Sequence, residues 1–384
     1  MLKYSLQSLI FIAITAFLFS CSSTKKLLQT SSDINSLKLI GVYEIPFNLK
    51  YKNTTVGGLS GIDYDAKKDQ YYMISDDRSE KNAARFYTAR IFITQKGIDS
   101  LVFTDVNYML QPDGKVYPDS KQNRFKTPDP EAMRYNAQKN YLVWSSEGER
   151  IVKANDTVLT DPSVLMINPK GKYIDSFALP PILKMRATEN GPRRNGVLEG
   201  MSFADNYKTL YVSVEEPLYE DGPRADVTDN NAFIRILKFD ETAKKNTAQF
   251  AYKLDPVAYP AKPETDFKIN GVPDILSLGN NKLLVVERSF SSGRIPCTIK
   301  VFIADLNNAT DISSTTLKGN NSFTPAKKSL LLNMDDLGIY IDNIEGVTFG
   351  PALPNGHKTL LFIADNNFNA LEKAQVMLFE VLEN

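Results

Sequence analysis

Apolar and polar residues alternate through residues 197–217, VLEGMSFADNYKTLYVSVEEP, with the polar pair Asp205-Asn206 in the middle. A period of two predicts two antiparallel strands joined by a tight turn. The first strand is entered at Glu199, and the second, 209–214, ends on Glu215 and Glu216. In an antiparallel pair the entry of one strand and the exit of the other share one edge. The carboxylates of this hairpin therefore gather at one end.

The pattern recurs as LSGIDYDAKKDQYYMISDD at 59–77, PEAMRYNAQKNYLVWSSEGE at 130–149, VPDILSLGNNKLLVVER at 272–288 and IEGVTFGPALPNGHKTLLFIADNN at 344–367. Five copies roughly 70 residues apart in a β-rich chain signal a propeller or solenoid, because one small sheet cannot bury both its faces alone. Further strands at 87–94 and 100–109 complete a first four-stranded blade, and 163–168 with 173–178 a second. Strands at 232–239 and 248–254 complete the third, and 298–304 with 328–332 the fourth. The last copy has only 376–382 left to add, so it is one strand short, while the strand at 37–46 has no hairpin partner. Lending that strand to the last blade closes the ring and removes exposed edges. The expected fold is all-β: a β-propeller of five four-stranded blades, with six as the alternative, closed by the N-terminal strand.

Turns inside the five hairpins are mostly short, whereas the connections at the opposite edge are long: 111–129, 147–162, 179–197, 217–231 and 255–271. Long loops in a compact domain tend to carry function. One face of the disc is predicted plain and the other elaborated.

Composition narrows the chemistry. Lysine and arginine number 45, as do aspartate and glutamate. With no basic excess, nucleic acid is not an expected partner. A single histidine, His357, removes any multi-histidine metal site and argues against a Ser-His-Asp triad; it sits in the turn ALPNGHK on the plain face. Ser60 in GGLSG lacks the G-x-S-x-G nucleophile elbow. Residues 1–21 read as a lipoprotein signal: Lys3, an apolar stretch over 6–18, then Leu18-Phe19-Ser20-Cys21 resembling a bacterial lipobox with Cys21 as the lipidated residue. Residues 22–36 form a polar tether, and 37–384 a single propeller domain. The expected protein is a monomer, held by its lipid in the cell envelope and facing the periplasm or outer membrane. Cys297 is then left without a disulfide partner.

Strand entries carry Ser60, Glu131, Glu199, Asp274 and Glu345, and strand exits carry Asp76-Asp77, Glu147, Glu215-Glu216, Glu287 and Asp365. Innermost strands line a propeller's channel, so these groups are expected to ring its mouth. Carboxylates so close cannot all ionise uncompensated. They need raised pKa values, Arg or Lys partners, or hard cations, and an oxygen-only ligand set suits Ca²⁺, with Mg²⁺ possible, and not zinc. Glu131, Glu199 and Glu345 have an equally good structural reading, as acceptors for backbone N–H groups of the neighbouring blade. Arg78 and Arg288 directly follow exit-side acids and suit a phosphate's geometry. The economical mechanism is a metal-activated water, with Glu215 taking the proton and Arg78 and Arg288 holding substrate.

The stretches GGLSGIDYD, YYMISDD, DPEAM, NGVLEGMSF, LYVSVEEPL, LLVVERSF, DNIEGVTFGP and LLFIADNNF resemble the phytase-like family, named for an esterase-like activity of phytase, from about Gly57 to the C-terminus. That family is similar to the β-propeller phytases, calcium-dependent phosphatases with an acidic mouth. The resemblance implies a propeller and a small-molecule phosphoester or ester substrate. The competing reading is a non-catalytic propeller that offers its long-loop face, with Tyr219, Tyr259, Tyr340 and Phe290 as an apolar platform, to a glycan or protein.

Overall fold

A computed structural model describes residues 34–319 and 322–383. The expected signal segment, the lipidation site Cys21 and the tether up to residue 33 lie outside the described residues.

Five four-stranded antiparallel sheets make the fold. From inside to outside, blade one is Gly61–Asp65, Gln70–Ser75, Arg85–Thr94 and Gly97–Tyr108, and blade two is Pro130–Asn136, Tyr141–Ser146, Ser163–Ile167 and Tyr173–Ser176. Blade three is Leu198–Ala204, Thr209–Val214, Phe233–Asp240 and Lys245–Lys253; blade four is Lys268–Gly279, Lys282–Ser291, Thr298–Asp305 and Lys327–Asn333. Blade five is Asn343–Phe349, Thr359–Asp365, Ala374–Glu383 and, outermost, the N-terminal strand Ile34–Ile45. The ring is closed as expected, with Leu37 opposite Val381 and Ile45 opposite Ala374. Each innermost strand touches the innermost strand of the next blade, and blade five returns to blade one. This is a five-bladed propeller, not a six-bladed one.

Burial follows position in the blade. Every residue of Pro130–Asn136 and Leu198–Ala204 is buried, because innermost strands are covered on both faces. The outer strand Gly97–Tyr108 is mostly half-buried or exposed. The core is divided into wedges between neighbouring blades. Ile74, Phe86, Met133 and Trp144 join blades one and two; Val143, Val164, Met201 and Leu237 join two and three; Ile236, Tyr252, Ile275 and Val285 join three and four. Val286, Ile299, Val347 and Phe362 join four and five, and Ile363, Val376, Ile62 and Met73 join five and one. At about 1.5–3 kcal/mol per fully buried large apolar side chain, these wedges hold the ring, with no disulfide among the described residues. Turn chemistry is local: Asn280 and Asn281, both at positive φ (51° and 54°), form the two-residue turn between Gly279 and Lys282, the geometry that suits a strand's right-handed twist.

The axis is plugged. Arg134, on the innermost strand of blade two, is buried and donates to carbonyls of all five blades: Ile62 (2.6 Å), Met133 (3.2 Å), Met201 (2.6 Å), Ile275 (3.3 Å) and Val347 (3.3 Å). Its Nη2 also donates to both oxygens of Asp274, at 2.7 and 2.6 Å. The channel is therefore a cup with a floor.

Candidate functional site: a carboxylate cup at the propeller mouth

Glu131, Glu199 and Glu345 each sit where the innermost strand slips register, between Pro130 and Met133, Leu198 and Gly200, and Ile344 and Gly346. A β-bulge inserts an extra residue and re-aims its side chain, and here the extra residue points into the mouth. The following residue must be small. A Cβ on Gly200 would lie 2.8 Å from the Asp274 Cα, and one on Gly346 would lie 2.9 Å from the Ser60 carbonyl oxygen. The Glu-Gly pairs in the sequence thus aim an acid and let the next blade close in. Asp76, Glu147 and Glu215 enter the same space from the ends of the second strands of blades one, two and three.

Together these groups line a cavity of about 830 Å³, with Arg78, Arg288 and Asp129 beside them. Carboxylate oxygens of Asp76, Asp129 and Glu131 come within 4.8 Å of one another, and so do those of Glu131, Glu147 and Glu199. Glu131 belongs to both groups. Burial and then four carboxylates, Glu199 foremost, hold Glu131 well above the usual carboxylate range. Burial with Asp129 does the same to Asp76, and burial with Glu147 to Glu199. Burial, Asp129 and Glu215 push Glu147 up to about 8. Asp129 rises to about 6 through burial, against the pull of Arg78. On the far side Arg288 donates to Glu215 (2.6 Å) and also to Asn343 and Glu345 (both 2.5 Å). Burial lowers the Arg288 pKa, but Glu345 and Glu215 outweigh it and keep the guanidinium charged.

Several of the expected groups lie elsewhere. Asp77 turns away from the mouth to pair with buried Arg85 (2.6 Å) and to accept the N–H groups of Glu80, Lys81 and Asn82. Glu216 pairs with Arg224 at 2.8 Å. Adjacent residues of an extended chain point to opposite sides, so only one acid of each doublet can face the mouth. Glu287 is not an exit residue, because its strand runs on to Ser291; it holds Tyr252, Asn270 and Lys328. Asp274 lies one layer below the rim. Blade four's register slip, between Gly271 and Asp274, holds Val272 and Pro273, so Pro273 takes the place that Glu131, Glu199 and Glu345 hold. Asp365 is fully buried behind the rim, with Oδ1 accepting the Asn367 N–H at 2.9 Å and Oδ2 without a partner among the described residues.

Arg78 and Arg288 reach the cavity but are spent on ion pairs, Arg78 with Asp129 (3.3 Å) and Glu149 (3.0 Å). The inter-blade N–H groups are accepted not by Glu131, Glu199 and Glu345 but by Asp274, from Met201 (3.4 Å) and Val347 (2.8 Å), by Asp63 from Tyr135 (2.7 Å) and by Glu147 from Val197. Ser60 donates to the Glu131 carbonyl oxygen at 2.6 Å, and His357 pairs with Glu380 at 2.7 Å on the plain face. Of the aromatic platform, Phe290 and Tyr340 line the cavity, while Tyr219 stacks under Arg150 and Arg193 and Tyr259 under Arg294. The sequence reading missed Asp129 and Arg134; the acids flanking Pro130 were the available signal for the first.

The family model described as phytase-like, esterase-like activity of phytase, matches residues 54–368. No curated protein sequence matches the chain. Among solved structures, a thermostable family-43 glycoside hydrolase is similar at 11% identity and TM-score 0.48, covering 89% of this chain and 93% of that one. An exo-β-1,3-galactanase from Phanerochaete chrysosporium is similar at 13% identity and TM-score 0.44, over 90% of this chain and 64% of that one. A bifunctional GH43-CE protein of Bacteroides eggerthii is similar at 11% identity and TM-score 0.41, over 84% of this chain and only 33% of that one.

Proposed function

Because the chain belongs to the phytase-like family, we propose that it is a hydrolase of phosphoesters or esters that works with a divalent cation, Ca²⁺ or secondarily Mg²⁺, at the propeller mouth. The observation that carries this reading is the pair of three-carboxylate groups sharing Glu131, each with its oxygens within 4.8 Å. A cation with Ca–O distances of about 2.4 Å spans just such a separation between opposite ligands, and an all-oxygen donor set suits a hard cation. The charges acting most on Glu131 are all carboxylates, so the cluster needs protons or a cation to stand. Asp76, Asp129 and Glu131 would hold one ion, and Glu131, Glu147 and Glu199 a second. When bound, the ion lowers the pKa of water and offsets negative charge developing on the substrate.

The protein's own groups do the rest. Glu215 faces the cavity, fixed by Arg288 at 2.6 Å, and takes the proton of the attacking water. Arg288 bridges Glu215 and Glu345 and puts a fixed positive charge beside the reacting centre. Arg78 steadies Asp129 as a ligand. The enzyme acts as a monomer outside the cytoplasm, anchored through lipidated Cys21; the apolar segment 6–18 ending in Leu18-Phe19-Ser20-Cys21 supports this. Palmitate labelling abolished by Cys21→Ala is the matching test.

Activity is tested with an aryl phosphate, an aryl ester and phytate, each with Ca²⁺ and with chelator. Cation-dependent turnover of at least one is expected. Turnover of none, with or without metal, overturns the hydrolase reading and leaves a binding propeller.

A further inference from the structure

The cup is chemically two-sided. Its carboxylates come mainly from blades one to three, whereas blades four and five supply Phe267, Ile269, Phe290, Ile295, Tyr340 and Leu371. The apolar side has a specific origin. Blade four's inner hairpin pairs four residues further than its bulge requires, with Lys268 opposite Ser291 and Ile269 opposite Phe290. At 3.3 Å per residue the three steps from Gly271 to Lys268 carry the overshoot about 10 Å above the acid layer. Phe267 and Phe290 meet on it at 6.2 Å. Gly271 makes the overshoot possible, since a Cβ there would lie 2.7 Å from the Glu215 Cγ. At the rim stand Leu371 and Ile295, 83% and 76% exposed, the two most exposed large hydrophobics among the described residues. Water-facing side chains of that size collected on one wall of an otherwise acidic cavity mark a binding surface.

Charge decides what else the site admits. Nine acidic side chains line the cavity against three basic ones, Arg78, Arg288 and Arg294. The first two are held by carboxylates, and Arg294 donates to the Pro296 carbonyl oxygen at 2.6 Å. Two divalent cations would still leave the formal sum negative, so a substrate bearing many phosphates finds no complementary charge.

Resting on the hydrolase reading above, we propose that the wall of Phe267, Ile269, Phe290, Ile295 and Leu371 binds an aryl or alkyl group of the substrate. The preferred substrate class is then an ester or phosphoester with an apolar arm and little charge, not a polyphosphorylated small molecule. The arm lies along the blade-four hairpin while the ester faces the carboxylates.

The test uses the protein with saturating Ca²⁺ and a series of alkylphosphonates from ethyl to octyl, whose P–C bond survives a hydrolase, titrated by calorimetry. A methylene that is half to fully buried raises affinity about two- to fourfold. The parent protein should show that increment along the series, and Ile295→Ser/Leu371→Ser, altered only at exposed positions, should flatten it with Ca²⁺ affinity unchanged. Affinity independent of chain length, a full increment in the double variant, or phytate binding more tightly than octylphosphonate overturns the proposal. So does the outcome in which the double substitution abolishes only sedimentation with phosphatidylcholine vesicles, which assigns these residues to a membrane. Nitrophenyl esters of the same chain lengths separate the two readings. A chain-length increment in binding with no ester or phosphoester hydrolysed refutes hydrolysis and leaves the apolar subsite. Hydrolysis without any increment does the reverse.

Discussion

Glu147→Gln isolates the electrostatic strain of the cup in one atom-for-atom exchange. Burial, Asp129 and Glu215 push the Glu147 carboxyl up from 4.5 to about 8. In the cation-free protein the folded state therefore keeps a proton that the unfolded chain has already released. The stability this provides is complete below about pH 4.5 and is lost as pH rises through about 8. The interval corresponds to roughly 5 kcal/mol. Glutamine escapes it and still offers its Oε1 to the Val197 N–H, the bond Glu147 makes now. For a domain of this size, about 2 °C per kcal/mol places the variant's melting temperature in chelator up to about 10 °C above the parent's at about pH 8. Near pH 5 the two should melt almost together. Calcium changes the order: at a hundredfold excess over Kd a bound ion stabilises its host by about 2.7 kcal/mol, and the variant has lost a ligand. The gap at high pH should narrow or invert when Ca²⁺ is added. Melts followed by calorimetry at both pH values, with chelator and with Ca²⁺, give all four numbers. A variant that melts below the parent by the same margin at both pH values refutes the reasoning and makes Glu147 a plain hydrogen-bond acceptor.

Other expectations follow from the same geometry. Asp274→Asn leaves the buried Arg134 guanidinium without its anion and should cost about 3–5 kcal/mol in urea unfolding, part of which Arg134→Met/Asp274→Leu should recover. Asp77→Asn, which uncouples buried Arg85, should cost a similar amount, about 3–5 kcal/mol, yet leave Ca²⁺ affinity unchanged by titration calorimetry, because Asp77 does not line the cup. Calcium affinity should rise between pH 6 and 8 as Asp129 (about 6) and Glu147 (about 8) shed protons. The proton release is read by titrating in two buffers of different ionisation enthalpy, and equal heats in both would contradict it.

The ring was legible because its signal is repeated and local. Hairpins of alternating residues, a one-strand deficit at one end and a spare strand at the other specify five closed blades, and Pro130-Glu131, Leu198-Glu199 and Ile344-Glu345 mark the same position in three of them. What stayed hidden depends on bulges and on partners distant in the chain. In blade four the bulge holds Val272 and Pro273, so Asp274 falls just past it, on the floor and not at the rim, and nothing in VPDILSLG declares it. Arg134 reads as a surface arginine on an alternating strand; only ring closure brings five carbonyls around it. The doublets Asp76-Asp77 and Glu215-Glu216 were decidable in advance, because an extended chain cannot aim both neighbours at one point. The overshoot of blade four's hairpin pairs KING at 268–271 with RSFS at 288–291, and its height above the acid layer is a property of register.

The central claim is that carboxylates from separate blades converge to hold a hard cation. The most direct measurement is a crystal grown in Ca²⁺ and examined by anomalous scattering. The account predicts a peak at about 2.3–2.6 Å from oxygens of Asp76, Asp129 and Glu131, or of Glu131, Glu147 and Glu199. A mouth with no anomalous peak at saturating Ca²⁺, its carboxylates joined only by shared protons and water, would contradict it.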